Sequence, residues 1–175
     1  LNLAWPRRLC QRKMPHYVGT HVFRFTRLAQ AAEVCNKNFD MSNILYDYGR
    51  QSFLDGLISW TSMTIRAALI DTTRYQVDLA NHQWLSDIPT GAIVATSGPL
   101  SGKTVTAGVA NAAPITFTTV SGPTCEIIVL YRDTGVASTS RLVAYMDTAT
   151  GLPVQPNGGD ITVTFDSGPN KIFKL

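Results

Sequence analysis

Over most of this chain, apolar side chains return at every second position and turn-forming residues break the run at short intervals. That rhythm belongs to strands with one covered face, and it excludes a helical bundle. In 64–70, Ile65, Ala67 and Leu69 share a face, and 93–96 offers a second, shorter strand. In 103–109, Val105, Ala107 and Val109 oppose Thr104 and Thr106. The pattern returns in 115–119, with Ile115 and Phe117 inward, and in 160–165, with Ile161, Val163 and Phe165 against Thr162 and Thr164. Threonine suits the outer positions because its branched Cβ fits a pleated surface while its hydroxyl meets water. The runs 127–131 and 142–146 are apolar without alternation, as expected of strands buried on both faces, and the polar stretch between them predicts a hairpin with a long loop. Residues 171–174 read as a terminal strand, and Ser97-Gly98-Pro99, Ser121-Gly122-Pro123, Asn157-Gly158-Gly159-Asp160 and Ser167-Gly168-Pro169-Asn170 supply turns.

One segment departs from this period. In 48–60, Phe53, Leu57 and Trp60 recur at helical spacing with Leu54 and Ile58 beside them, which predicts a helix opened by Asp47 and weakened by Gly56. The expected fold is mainly β: an antiparallel β-sandwich or barrel with one N-terminal helix.

Charge divides the chain at residue 41. Residues 1–40 hold Arg7, Arg8, Arg12, Lys13, Arg24, Arg27 and Lys37 against Glu33 and Asp40, a net of +5, whereas 41–175 carry a net of −2. Met41-Ser42-Asn43-Ile44-Leu45-Tyr46-Asp47 reads as an ordinary protein start. The expected organisation is therefore a basic N-terminal extension over 1–40, either mistranslated upstream sequence or a disordered arm, and a single β-rich domain over 41–175. A domain of that size buries about two thirds of the surface its unfolded chain exposes, enough for a core without disulfides. Cys125 is its only cysteine, which fits synthesis in a reducing compartment; Cys10 and Cys35 lie in the extension. No apolar run, 127–131 included, approaches the length of a membrane span, and no membrane partner is expected. The basic residues of 1–40 alternate with Trp5, Tyr17, Phe23 and Phe25 but form no run or stripe, so a nucleic-acid partner is not expected either.

The familiar chemical constellations do not assemble. Ser97-Gly98-Pro99-Leu100-Ser101-Gly102-Lys103-Thr104 ends like a phosphate-binding loop, but Ser97 stands where the first glycine belongs, and an alternating strand follows instead of a helix. His82 is the only histidine of 41–175, so no transition-metal set is expected, and the aspartates sit at strand ends, where they close turns. His82 with Asp78 or Asp87 has no nucleophile elbow to serve, and Glu126, the sole glutamate of 41–175, opens a buried strand. No catalytic residue, metal or cofactor is assigned, and the protein is expected not to be an enzyme. Trp60, Trp84, Tyr75 and Tyr131 leave sugar binding by ring stacking as an alternative.

Several strings carry a resemblance. They are Ser42-Asn43-Ile44-Leu45-Tyr46-Asp47 with Gly49-Arg50, Ala68-Leu69-Ile70-Asp71-Thr72, Leu85-Ser86-Asp87-Ile88-Pro89 and Leu100-Ser101-Gly102-Lys103-Thr104-Val105. Others are Gly151-Leu152-Pro153-Val154, Asn157-Gly158-Gly159-Asp160-Ile161-Thr162-Val163 and Asn170-Lys171-Ile172-Phe173. Through them 41–175 resembles a family of small virion structural proteins of tailed bacteriophages. The resemblance implies a non-enzymatic virion component assembled in the host bacterial cytoplasm, with capsid decoration or cementing as the favoured role. Alternatives are a tail, neck or fibre-associated component, or a carbohydrate or host-surface binding module. The expected partners are the major capsid protein or other virion proteins, with a homo-oligomer, a trimer by preference, at a symmetry axis. The candidate interface is Tyr46 and Tyr48 near the start of the domain, with Lys171, Phe173 and Leu175 at its end, unless both ends simply cover their own domain.

Overall fold

Strand pairing organises the computed structural model, which describes residues 43–175. The expected basic extension over 1–40, and the boundary at residue 41, lie outside the described residues. In chain order the elements are β1 (Ile44–Leu45), α1 (Asp47–Leu54), β2 (Ile65–Ile70), β3 (Ile93–Thr96), β4 (Thr104–Thr106), β5 (Val109–Asn111), β6 (Ile115–Phe117), β7 (Ile127–Arg132), β8 (Arg141–Met146), β9 (Ile161–Val163) and β10 (Phe173–Lys174). Short 3-10 turns at Leu85–Asp87, Thr90–Ala92 and Ala137–Thr139 complete the set. The fold is mainly β, antiparallel, with a single α-helix among the described residues.

A five-stranded sheet in the order β1-β8-β7-β2-β3 carries the molecule, and smaller sheets β10-β5-β4 and β6-β9 accompany it. The unbroken apolar runs lie at its centre, as their lack of alternation requires: β7 pairs with β2 on one side and β8 on the other. Successive residues feed opposite faces. Ala67, Leu69, Ile128 and Leu130 join Ala110, Ile115, Phe117, Ile161, Val163 and Phe173 of the smaller sheets in one core. Ala68, Ile70, Ile127, Val129 and Tyr131 join Tyr46, Tyr75, Ile88 and Ala92 in a second core on the other face.

Two irregularities bend the ladder. Leu130 pairs with Ala144 and Tyr131 with Leu142, so Val143 is an extra residue in β8, a β-bulge. Val94 is similarly skipped between β2 and β3.

Two predicted elements are corrected. The helix ends at Leu54, not at residue 60, because Gly56 takes φ +71° and turns the chain. It seats against the sheet through Gly49 and Ser52, while Leu54 and Leu57 are exposed. Trp60 is buried beyond the helix, edge-on to Phe173 with ring centroids 5.2 Å apart, its Nε1–H donating to the Asn111 carbonyl at 3.1 Å. Segment 103–109 is not one strand but a hairpin: Thr106 pairs with Val109, and Ala107 (φ +51°) and Gly108 (φ +79°) form the two-residue turn. Val105 is accordingly exposed rather than inward-facing. Positive φ at both central positions is what a type I′ turn demands, and it matches the twist of the flanking strands.

Candidate functional site: an arginine pair beside Trp84

The structure disperses the interface expected from sequence. Tyr46 has no exposed surface; its N–H donates to the Val143 carbonyl at 3.1 Å and its ring lies in the second core. Phe173 is buried against Trp60 and Phe53, and β10 pairs with β5 of its own domain. Neither side chain is available to a partner. Lys171, partly buried, gives its carbonyl to the Asn43 side-chain amide at 3.1 Å, and Leu175 remains 52% exposed. Both ends thus fold back on the domain. Of the expected residues, only Tyr48 lies beside a cluster with the makings of a binding site.

That cluster grows from strand register. Arg132 ends β7 and Arg141 begins β8, and the two are direct cross-strand partners. On the far side of Arg141, Trp84 forms an isolated antiparallel bridge with it, taking at this end of β8 the edge position that β1 holds at the other. Arg132, Arg141 and Trp84 therefore stand in a row across the sheet. The Arg141 guanidinium lies 3.6 Å from the Trp84 ring centroid and 5.7 Å from that of Tyr48, and it donates to the Gln83 side-chain oxygen at 3.1 Å. Cation–π contact of this kind fixes the head group without neutralising it. Burial lowers the Arg141 pKa and is the largest influence; Tyr48 raises it, Arg132 lowers it, and the more distant charge of Asp87 raises it.

Nearby carboxylates are committed elsewhere. Asp87 accepts the N–H groups of Gln83 and Trp84 at 2.7 and 2.9 Å and so holds the Trp84 loop in place. Asp133 lies 2.7 Å from Arg66 Nε. Among the described residues, neither Arg132 nor Arg141 has a carboxylate within ion-pair distance. The two arginines line a groove of about 330 Å³ with Trp84, Ser52, Leu57, Ile58, Thr134 and Thr139. Leu57 is 55% exposed, and Leu54 (83%) and Val136 (56%) lie on the same two chain segments.

Other sequence candidates resolve into structural roles. The Asp78 backbone N–H donates to His82 Nδ1 at 3.3 Å, which makes that nitrogen an acceptor, so the Tyr75 hydroxyl donates to it at 2.9 Å. The Tyr46 hydroxyl, 3.0 Å away, can then donate to Tyr75. Burial pushes the hydroxyl pKa of both tyrosines up, and the chain of hydrogen bonds ends inside the core. In the phosphate-loop lookalike, Ser97 Oγ accepts the Ala67 N–H and donates to the Gly98 carbonyl, and Lys103 Nζ donates to the Met63 carbonyl. The motif is a turn between β3 and β4. Among the described residues no group of three His, Cys, Asp or Glu side chains is placed to hold a metal ion, and no helix is long and apolar enough to cross a membrane. Trp60, Tyr75 and Tyr131 are buried and offer no open face to a sugar, whereas Trp84 is half-buried with Arg141 over its ring.

Sequence reasoning missed the arginine pair. Its signal was two arginines, each abutting one of the doubly buried strands. No protein-family model matches the chain, and no significant match was found among curated proteins.

Proposed function

We propose that this protein is a non-enzymatic bacteriophage virion structural protein, and specifically a capsid decoration protein that steadies the shell through protein–protein contacts. The observation that carries the reading is the Arg132–Arg141–Trp84 row, with exposed Leu54, Leu57 and Val136 on the segments beside it. Tryptophan and arginine in a partly desolvated recess, edged by aliphatic side chains, is the composition of a binding hot spot between proteins. The resemblance of 41–175 to small phage structural proteins points the same way. A domain with a net charge near zero crowds onto a lattice without strong self-repulsion, and many modest contacts across symmetric copies add up by avidity.

Quantitative peptide mass spectrometry on purified particles of the parent phage tests this. Copy numbers comparable to the major capsid protein are expected. A few copies per particle would move the protein to the tail or neck, and absence from particles would overturn the structural reading altogether.

A further inference from the structure

We infer that the Arg132–Arg141 groove is a receptor for an acidic side chain carried on an apolar segment of a neighbouring protein. The identification of that neighbour as a virion protein rests on the function proposed above; the carboxylate specificity does not. Direct cross-strand pairing of like charges is destabilising, and here it is placed in a recess where water screens it less than on an open surface. A sheet normally relieves such a pair with an acid on the next strand. Here the next position holds Trp84, and Asp87 and Asp133 are engaged by backbone N–H groups and by Arg66.

The geometry is also prepared in advance. Trp84 and Gln83 hold the Arg141 head group, and Asp87 holds the loop that carries them. The Val143 bulge lies two residues beyond Arg141, and such bulges often re-aim side chains at binding sites. Two arginines paired across the strands and lining one groove can offer forked donors to a carboxylate, and an anion held between them relieves their mutual repulsion.

Charge and lining select among anions. A nucleic acid is held by many phosphate contacts along a basic track, whereas 41–175 has a net charge of −2 and gathers two arginines here. A free phosphate has no use for Leu57 and Ile58 in the wall. An Asp or Glu flanked by aliphatic residues uses both parts of the site. Residues 1–40, with a net of +5, are a poor complement to it.

The test uses the full chain, isotope-labelled, titrated with acetyl-Leu-Glu-Leu-amide while the arginine Nε–H and tryptophan indole resonances are followed by NMR. Saturable shifts at Arg132, Arg141 and Trp84 are expected, with binding weakened about tenfold when Gln replaces the Glu of the peptide, the usual scale for a charge-assisted bond. Arg132→Gln is expected to abolish the shifts while leaving the fold intact, and Arg132→Lys to retain them weakly. Equal binding of the Gln peptide, or no saturable shift, would overturn the inference. So would inorganic phosphate that displaces the peptide at equal concentration, since the site would then read charge alone. Failure of the virion reading appears separately, in the particle copy number.

Discussion

Arginine seldom faces arginine across a sheet, and the Arg132–Arg141 pair is an exception that invites perturbation. Removing one member, as in Arg132→Gln, is expected to raise stability in low salt by about 0.5 kcal/mol. The gain should shrink as added salt screens the repulsion, and urea titrations at two ionic strengths measure both effects. A loss of stability insensitive to salt would mean that the Arg132 stem matters more than its charge. Asp71 makes the opposite case, a charge the fold wants. The Thr73 hydroxyl donates to it at 2.6 Å and the Thr73 N–H at 2.9 Å, and with Arg74 nearby they hold its carboxyl below the ordinary range, burial opposing. A pKa depressed by folding contributes stability above the unfolded value, near about 4, and loses it as pH falls through the folded value. Asp71→Asn should therefore melt below the wild type at about pH 7, with the gap closing towards about pH 3. A gap that stays constant across melting curves would sink the assignment.

Elements register the same physics through close approach. A Cβ at Gly49 would stand 2.7 Å from the Leu142 carbonyl oxygen and 2.8 Å from that of Val143, so α1 rests directly on the bulged backbone of β8. Alanine is the better helix former, yet Gly49→Ala is expected to destabilise the domain by about 1–3 kcal/mol through overpacking. Chemical denaturation gives the sign, and a stabilised variant would show that α1 is free to lift. At the β4–β5 turn the expectation reverses. Ala107 holds φ +51°, a region that suits Asn, and Ala107→Asn should stabilise the hairpin by about 0.5 kcal/mol, read as a higher denaturation midpoint. These two sites also explain what the sequence concealed. Residues 103–109 keep their alternation through the turn, since Ala-Gly lacks the Asn-Gly signature, and one strand is expected where β4 and the start of β5 stand. Phe53, Leu57 and Trp60 fall at helical spacing, but the chain turns at Gly56, so Phe53 meets Phe173 from the helix, Trp60 meets it from beyond the helix, and Leu57 is exposed. The central strands were legible because burial on both faces leaves an unbroken apolar run, whereas a pair such as Arg132 and Arg141 becomes adjacent only through register.

At the scale of the whole molecule, the two ends of the described chain meet. Asn43 donates from its side-chain amide to the Lys171 carbonyl and receives a hydrogen bond from Thr148, so the start of the domain is stitched to its close. Sequence left both ends either at an external interface or covering their own domain; the burial of Phe173 depends on Trp60 and Ala110, and that of Tyr46 on Tyr75, which no local pattern ties to them. The chain from Asn43 to Lys171 is therefore close to a ring, and the loop around Gly135, where an added Cβ would meet nothing within 4 Å, is a place to open it. The parent order, and a permuted chain that joins the old ends through a short flexible linker and begins after Gly135, are both expected to unfold in one cooperative transition. Loss of that cooperativity in a calorimetric scan would show that β7 and β8 need their connecting loop. If the ring holds, the order in which the strands leave the ribosome is a matter of ancestry, and the same architecture can be entered from more than one door.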